Sequence, residues 1–409
     1  MKFDVFHSIG RIDSLPVKLT DRQVYSQFFS QVRAAEDLGY GLMWVAESHF
    51  SSEVQKANPG AVIPHYQGEV GLNADSMQLA QAIFASTRRI GFGTAIMNIV
   101  GGNGGPIAAA DRVRSLAWLN GLSSSPRELK IGIAAGRFPY INQPFGIVPR
   151  DGIEQALWPQ YQQHIFIEAL EIFLRLAQGE TLSSRDVASH AIGRSHFRDD
   201  LSWARAVEAL KPFGVDLEQQ GEIVYKPRWV FERLKLVPGI DPDEDSSFVR
   251  YVLGSHDPLA RDHGWRFADL DIFNLSFTPP AAINRVHADM TTKAEASGRI
   301  WHRSRMPRTV LVFIDDSPKA AQERASRCFD TYIEAMRGTV ATPDKNALME
   351  RALIGDSQMI REQLTPDHPK GFHPDDRLML WFEFNQSDGA AVEHQMRLFA
   401  ENVLPHFIA

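Results

Sequence analysis

The sequence predicts an α/β fold, a TIM (β/α)8 barrel. Short apolar runs that read as strands alternate along the chain with stretches whose apolar residues have helical spacing, which is the pattern of parallel βα units. Eight such runs can be counted, and polar residues directly follow several of them. Because a parallel barrel carries its chemistry at the C-terminal ends of its strands, these polar tips are the first place to look for a site.

The clearest unit lies near the N-terminus. Apolar residues recur at helical spacing over residues 24–38, and Gly39 supplies a left-handed stop. The apolar run 42–46 then reads as a strand that is packed on both faces. Three candidate catalytic residues stand at its end: Glu47, Ser48 and His49.

The eight predicted strands are residues 3–7, 42–46, 90–97, 129–134, 248–254, 271–275, 309–314 and 378–384. They predict one barrel domain over residues 1–409. Residues 180–247 exceed the short link that a barrel needs between the fourth helix and the fifth strand, so they are interpreted as an insertion. Two interpretations of the insertion stay open, a surface elaboration and a lid over the barrel mouth.

Composition limits the class of protein. With 44% hydrophobic and 23% charged residues the chain can bury a large core. It contains no apolar run of the roughly 20 residues that span a bilayer, no secretory pattern at its start, and a net charge of -7 that argues against nucleic-acid binding. A single cysteine, Cys328, excludes an internal disulfide, and none of the 14 histidines forms a metal-binding motif. We expect a cytoplasmic enzyme without a metal site.

His49 is the leading catalytic candidate at the second tip. Imidazole is the side chain best suited to proton transfer near neutral pH, and Glu47 lies two positions earlier. A histidine that only makes structural hydrogen bonds is the competing interpretation. The position at the end of a barrel strand favours proton transfer, and both interpretations stay open.

Other strand tips favour a bound flat, anionic ligand. Small residues at the third tip allow a ring to approach the backbone, and a glycine turn followed by an arginine at the fourth tip suits a phosphate. The fifth tip leads into a helix N-terminus, which suits an anion, although an ordinary Ser or Asp helix cap would look the same. The candidate ligand-binding residues are Thr94, Ala95, Ile96, Ala135, Gly136, Arg137, Gly254, Ser255, His256 and, at the sixth tip, Ser276.

Six pieces of the chain, in order and spacing, resemble the bacterial luciferase-like family of flavin-dependent monooxygenases. They are residues 35–40, 44–50, 86–95, 119–123, 131–136 and 398–405. The resemblance implies a barrel that holds reduced FMN, or in one branch F420, at its mouth. With FMN, it implies that O2 forms a C4a-hydroperoxide that oxygenates a small organic substrate. It also implies a non-prolyl cis peptide at Ala95-Ile96.

The implied partners follow from that chemistry. Reduced FMN would come from a separate NAD(P)H:flavin reductase, the other reactants would be O2 and the organic substrate, and a homodimer is expected. No nucleic-acid or membrane partner is expected.

This chain departs from the family pattern at several positions. The catalytic histidine of luciferases proper falls on Ser48, their reactive cysteine on Ala134 and their phosphate-binding arginine on Ala135, which leaves Arg137 as a displaced candidate. The chain is therefore interpreted as a diverged monooxygenase and not as a light emitter. An F420-dependent oxidoreductase and a flavin-binding protein without monooxygenase activity stay open as alternatives.

Overall fold

A computed structural model describes residues 1–58, 61, 63–136, 139–238, 247–274, 278–337 and 344–408. Eight parallel strands form its centre, and each lies where the sequence predicts one. We number them β1 Lys2–His7, β2 Leu42–Val45, β3 Gly91–Asn98, β4 Leu129–Ala134, β5 Val249–Leu253, β6 Asp271–Ile272, β7 Arg308–Ile314 and β8 Arg377–Trp381.

The strands close into a barrel. Parallel pairing runs in chain order from β1 through β6, and β8 pairs with both β7 and β1. In the part of the chain that the structure describes, the last gap is closed by a parallel bridge between Asn274 and Arg308. In this bridge the Asn274 N–H donates to the Pro307 carbonyl at 3.1 Å, and the Thr309 N–H donates to the Asn274 carbonyl at 3.0 Å. The predicted eight-stranded barrel is confirmed.

One long helix follows each strand, as the alternating pattern predicts. They are α1 Asp21–Asp37, α2 Ser76–Ser86, α3 Gly105–Gly121, α4 Trp158–Ala177, α5 Pro258–Trp265, α6 Pro280–Ala296, α7 Pro318–Ala335 and α8 Gly389–Asn402. Their starts are set by local chemistry. Thr20, for example, caps α1 in a reciprocal capping box with Gln23, and Gly39 takes a φ of 84° beyond its end.

Short helices fill the connections. The α-helical ones are Ser52–Gln55, Pro139–Asn142, Gly152–Ala156, Asp200–Leu210, Leu217–Gln220, Lys345–Arg351 and Ser357–Gln363. The 3₁₀ turns are Gln143–Phe145, Arg194–His196, Lys211–Phe213, Arg303–Arg305 and Leu404–His406.

Apolar side chains on alternate strand positions fill the barrel interior, and the positions between them face the helices. Trp44 is the largest of the interior group, and its indole N–H donates to Asp4 Oδ2 at 2.7 Å. The interior cluster comprises Phe6, Leu42, Trp44, Val252, Phe273 and Met379.

A buried ionic network closes the N-terminal end of the barrel. Arg377 at the start of β8 bonds Asp4 of β1 (Nε to Oδ2, 2.5 Å) and also Glu128, just before β4 (Nη1 to Oε1, 2.7 Å). Lys130 of β4 in turn reaches Asp271 of β6, with Nζ 2.6 Å from Oδ2. Because the N-terminal end of a parallel barrel serves stability and its chemistry lies at the other end, we assign the network a structural role.

The sequence analysis missed three small pairings. Leu353–Gly355 adds a parallel strand to the outside of β7. Two antiparallel pairs lie outside the barrel, Arg11–Ile12 with Gly68–Glu69 and Ala191–Gly193 with Glu222–Val224. Each is two or three residues long, which is too short to show a period in sequence.

Between α4 and β5 the chain forms Ala191–Gly193, Asp200–Leu210, Leu217–Gln220 and Glu222–Val224. Asp200–Leu210 is a helix of 11 residues, capped by Asp199. That residues 180–247 are a distinct insertion, and their role as a lid or elaboration, stays a prediction. Among the helices that the structure describes, none is long and apolar enough to cross a membrane.

Candidate active site at the barrel mouth

Glu47 is the centre of a hydrogen-bond network at the end of β2. Its side chain is fully buried. Oε1 accepts hydrogen bonds from Asn103 Nδ2 at 2.6 Å and from the backbone N–H of Asn98 at 3.2 Å, while Oε2 accepts one from Ser76 Oγ at 2.8 Å. These donors come from β3, the loop after it and α2, so the carboxylate joins three elements at the mouth.

His49 is held by this carboxylate. Its Nε2 lies 3.1 Å from Glu47 Oε1, and its side chain is 9% exposed. A neutral ring that donates from Nε2 has its lone pair on Nδ1, so it keeps one site for accepting a proton. A Cβ placed on Gly102 would lie 2.6 Å from the ring, which shows how closely the loop after β3 packs against the imidazole.

Asn98 connects the tips of β3 and β4. Its Oδ1 accepts from the N–H of Val100 at 2.9 Å, and its Nδ2 donates to Asn142 Oδ1 at 2.8 Å. Asn142 Nδ2 in turn donates to the Ala135 carbonyl at 2.9 Å. The polar tips are therefore fixed by one another, which is how a site is held in a single geometry.

The predicted non-prolyl cis peptide at Ala95-Ile96 is confirmed. The register between β3 and β4 shifts between Thr94 and Met97 at the same place. Thr94 is fully buried and its Oγ1 donates to the Gly132 carbonyl at 2.8 Å, whereas Ala95 and Ile96 are half-buried. Of these three predicted residues, Ala95 and Ile96 are the ones open to a ligand.

Small residues on β4 and β5 make room for the Ile96 side chain. A Cβ on Gly254 would lie 2.3 Å from Ile96 Cδ1, and a Cβ on Gly132 would lie 2.9 Å from Ile96 Cγ2. These glycines thus allow three neighbouring strand tips to approach closely.

A cavity of about 350 Å³ lies beside the tip of β4. Ala135 and Gly136, both predicted ligand-binding residues, form part of its wall, and Asn142, Trp158 and Asp257 form other parts. Gly136 has a φ of 87°, and a Cβ there would lie 2.4 Å from Asn98 Nδ2, so this turn requires glycine.

The tip of β5 differs in one respect from the sequence-based expectation. The first amides of α5 were expected to be free for an anion, but Asp257 Oδ1 accepts from the Leu259 N–H at 3.1 Å and Pro258 has no N–H. Ser255 Oγ accepts from the Asp257 N–H at 3.1 Å. The Asp cap is therefore present, and an anion at the helix start would meet a carboxylate.

His256 is fixed to the neighbouring strand region. Its Nε2 donates to the Phe273 carbonyl at 3.0 Å, and burial lowers the pKa of the imidazole. A neutral His256 therefore keeps only the Nδ1 lone pair, which can accept a hydrogen bond from a ligand, and it carries no positive charge. Arg137 and Ser276, the other two predicted residues at the mouth, lie outside the described residues.

Ser48 lies between the two residues of the Glu47 and His49 pair. Its backbone N–H donates to the Asn73 carbonyl at 2.9 Å, and the residue is buried. Asn73 Nδ2 also donates to the Ala46 carbonyl at 2.9 Å. These two hydrogen bonds therefore connect the turn after β2 to the segment that leads into α2.

Sequence reasoning missed Ser76, Asn98 and Asn103 as partners of Glu47. They lie 29 to 56 residues away along the chain, so no local spacing connects them to it. Asn98 had one usable signal, because it is a polar residue at the end of a predicted strand.

A parallel barrel with a polar mouth and small strand tips defines a class of α/β-barrel enzymes in which ligands bind at the C-terminal face. Within that class, the family model of luciferase-like monooxygenases matches residues 1–371. The chain belongs to this family, and the resemblance noted in the sequence is confirmed. Membership supports an oxidoreductase.

Solved structures share the fold at low sequence identity. The monooxygenase RslO1 from Streptomyces bottropensis superposes with a TM-score of 0.70 at 16% identity, covering 100% of both chains. The oxygenating constituent of 3,6-diketocamphane monooxygenase from Pseudomonas putida, in complex with FMN, has a TM-score of 0.62 at 16% identity, covering 100% of this chain and 99% of that one.

An F420-dependent secondary alcohol dehydrogenase in complex with an F420-acetone adduct has a TM-score of 0.58 at 12% identity, covering 100% of this chain and 99% of that one. A comparison with curated protein sequences found no significant match.

Proposed function

We propose that this chain is an FMN-dependent monooxygenase that takes reduced FMN from a separate NAD(P)H:flavin reductase and uses O2 to oxygenate a small organic substrate. The observation that carries the proposal is the imidazole of His49, held by the buried Glu47 carboxylate at the mouth of a luciferase-like barrel. Family membership supplies the reaction class, and this pair supplies a group able to move a proton.

The described residues fit the ring of a flavin. Gly132 and Gly254 let the Ile96 side chain pack against the ends of β4 and β5. Ala95 and Ile96 are half-buried, so a flat group can lie against their exposed atoms. We propose that Ala95, Ile96 and Gly254 contact the flavin ring. The buried Thr94 holds this part of β3 in place.

The position of the ribityl phosphate is harder to assign than that of the flavin ring. The cavity beside β4 is lined by Asn142, Gln162 and Gln163, which offer amide groups, but also by the Asp257 carboxylate. Gln163 Nε2 already donates to Asp257 Oδ2 at 2.8 Å, which offsets part of that charge. We propose that the phosphate lies beside Ser255 and His256, with Arg137 as its cationic partner.

Reduced FMN, when bound, supplies the electrons and the site that activate O2. The residues of the chain bind, orient and handle protons. Glu47 fixes the His49 ring through Nε2, so that Nδ1 is the atom left to accept a proton or a substrate hydrogen bond. Asn98 and Asn103 keep Glu47 in place, and Ser48 contributes to the turn that presents both residues.

The test is turnover with enzymatically supplied reduced FMN against a panel of aldehydes, ketones, alkanes, sulfonates and amines. Oxygen uptake, hydrogen peroxide and product mass are measured together. We expect at least one substrate to give product with a gain of one oxygen atom and to lower the peroxide released per O2 consumed. FMN binding with only peroxide formation across the panel would leave a flavin-binding protein without monooxygenase activity.

An F420-dependent oxidoreductase is the second candidate, supported by the same barrel in a dehydrogenase that binds an F420 adduct. Retention of each cofactor on the apoprotein distinguishes the two, because oxidised FMN and F420 absorb at different wavelengths. Tight retention of F420 with no retention of FMN would replace the first proposal with this one.

A further inference from the structure

Four histidines pack together away from the barrel mouth, between α4, α5 and the segment that links α4 to β5. The ring centroids of His190 and His263 are 5.2 Å apart, and those of His164 and His190 are 5.5 Å apart. His196 completes the group, 4.7 Å from His164. We call these four residues the histidine cluster. Nothing in the proposed monooxygenase chemistry uses them.

One carboxylate joins two members of the histidine cluster. Glu171, His190 and His263 each offer one donor atom, and these three atoms lie within 4.8 Å of one another. Glu171 and His263 are buried, and His190 is half-buried. Two imidazoles and one carboxylate are the protein ligands of several zinc sites, in which a water takes the fourth position.

Three buried ring nitrogens of the histidine cluster lack a hydrogen-bond partner among the described residues. His263 Nε2 lies 2.8 Å from Glu171 Oε2, which accounts for those two residues as a hydrogen-bonded pair. It does not account for His190 Nε2, a buried atom without a hydrogen-bond partner among the described residues. His164, which is 2% exposed, has both ring nitrogens in the same condition. Buried polar atoms without partners are costly, and a bound cation would use such lone pairs.

The Glu171 carboxylate is also oriented by hydrogen bonds from Arg175 and Ala188. Glu171 Oε1 accepts from Arg175 Nη1 at 3.0 Å and from the Ala188 N–H at 3.2 Å, so that Oε2 faces His263. Such outer contacts fix a metal-binding carboxylate in one orientation. Arg175 is a positive charge near the site and lowers its affinity for a cation, but it occupies the oxygen that faces away from the imidazoles.

We propose that Glu171, His190 and His263 bind a divalent transition-metal cation of the zinc type, and that this site is structural. It would connect α4, α5 and the segment between α4 and β5, three parts of the chain that otherwise meet only through side-chain packing and hydrogen bonds. Zinc to nitrogen or oxygen distances of about 2.0–2.2 Å set tetrahedral donors about 3.3–3.6 Å apart. The span of up to 4.8 Å must therefore close by roughly 1 Å, and the 2.8 Å pair of Glu171 and His263 must open slightly. Side-chain rotation supplies a movement of this size.

The proposed ligands lie beyond the mouth cavity along α4. Phe166 is the last residue of α4 in the cavity wall, and Glu171 lies five residues later on the same helix, about 7.5 Å further along its axis at 1.5 Å per residue. Metal binding is therefore expected to change stability and metal content without taking part in the oxidation.

The first experiment uses the full chain, stripped with EDTA and freed of chelator by gel filtration. It is incubated with Zn²⁺ or Co²⁺, passed through a second column and analysed for metal by mass spectrometry. We expect one equivalent of Zn²⁺ to be retained, a visible d–d spectrum for the Co²⁺ form, and a rise in Tm of roughly 5 °C at a hundredfold excess over Kd. Retention of no metal would overturn the proposal.

Variants locate the bound ion. His190→Ala is expected to lose the retained equivalent and the rise in Tm with Zn²⁺, while its Tm in EDTA stays near that of the wild type. His196→Ala removes a histidine of the same segment outside the donor set and is expected to retain one equivalent. Retention by His190→Ala, or loss by both variants alike, would show that the ion binds elsewhere. Glu171→Gln, which keeps the side-chain size, replaces His190→Ala if that variant does not fold.

Discussion

Glu47 Oε1 lies 3.1 Å from His49 Nε2, and the carboxylate is the more deeply buried of the two side chains. A buried carboxylate with four hydrogen-bond donors around it has one orientation available, so the ring bonded to it is also oriented. The pair is therefore preorganised before any ligand arrives. The sequence shows that this pair follows a strand. The fixed orientation of the two side chains comes from residues of β3, the loop after it and α2.

We expect His49→Asn to fold and to bind FMN but to lose coupled turnover by about 10²- to 10⁴-fold, because positioned proton transfer contributes that much to rate. Hydrogen peroxide per O2 should rise at the same time. Product by mass spectrometry and peroxide by a coupled assay measure the two. His394→Asn makes the same change at an exposed position on α8 and serves as the control. Unchanged coupling in His49→Asn would assign His49 to the fold alone.

A methyl group on Gly102 should disturb the same ring at the edge that bonds Glu47. Gly102→Ala places a Cβ 2.6 Å from the His49 ring, so we expect the imidazole to move and coupled product formation to fall by about 10- to 100-fold. In Gly121→Ala, the control, the nearest atom to the new Cβ is 3.5 Å away. Steady-state rates and the Tm of both variants separate lost positioning from lost stability. Equal rates in the two variants would contradict the close packing.

Ser255 tests the location of the phosphate. Ser255→Asp should weaken FMN binding by about 10-fold or more, because a carboxylate would face the phosphate at short range. Ser255→Asn has nearly the same shape without the charge and should lose much less. Fluorescence quenching of FMN on titration gives both affinities. If the two variants bind FMN equally, the phosphate lies away from the tip of β5.

Glu128 should make the barrel sensitive to acid. Burial would raise the pKa of this carboxyl, but the hydrogen bond and charge of Arg377 outweigh it and lower the pKa from 4.5 to about 2. A lowered folded-state pKa stabilises the fold above the unfolded value, and this stabilisation is lost as pH falls from about 4.5 to about 2. Urea unfolding of wild type and Glu128→Gln should therefore converge over that range. Glu222→Gln, at an exposed position, should show no such convergence.

The sequence predicted the barrel well because each strand and helix carries its own local signal. The strand β4 begins and ends where the alternation predicts, since buried apolar runs bounded by turns are local features. The strand β6 is shorter than predicted, with only Asp271 and Ile272 in regular pairing and Asn274 in an isolated bridge. Its length depends on β5 and β7 on either side, which the run of residues 271–275 cannot show.

The site was less accessible than the fold. Glu47 and His49 could be chosen because they follow a strand. The sequence shows that a helix begins after Asp257, but it does not show that the Asp257 side chain accepts the hydrogen bond of the Leu259 N–H. The proposed metal ligands Glu171, His190 and His263 are spread over 92 residues of the chain, so a search for short metal-binding motifs could not find them. Contacts of this kind are made by folding and have no short sequence signature.

Among the described residues, the barrel is joined between β6 and β7 by two backbone hydrogen bonds at Asn274, whereas β1 with β8 and β2 with β3 each share four paired residues. A closed sheet opens first where the fewest bonds must break, so this seam is the natural site of local opening. Amide protons of Asn274 and Thr309 should then exchange with solvent faster than those of β1 and β4. The C-terminal ends of β6 and β7 also lie at the mouth. The wall of the proposed flavin site can therefore open between these two strands while Glu47 and His49 stay fixed at the end of β2.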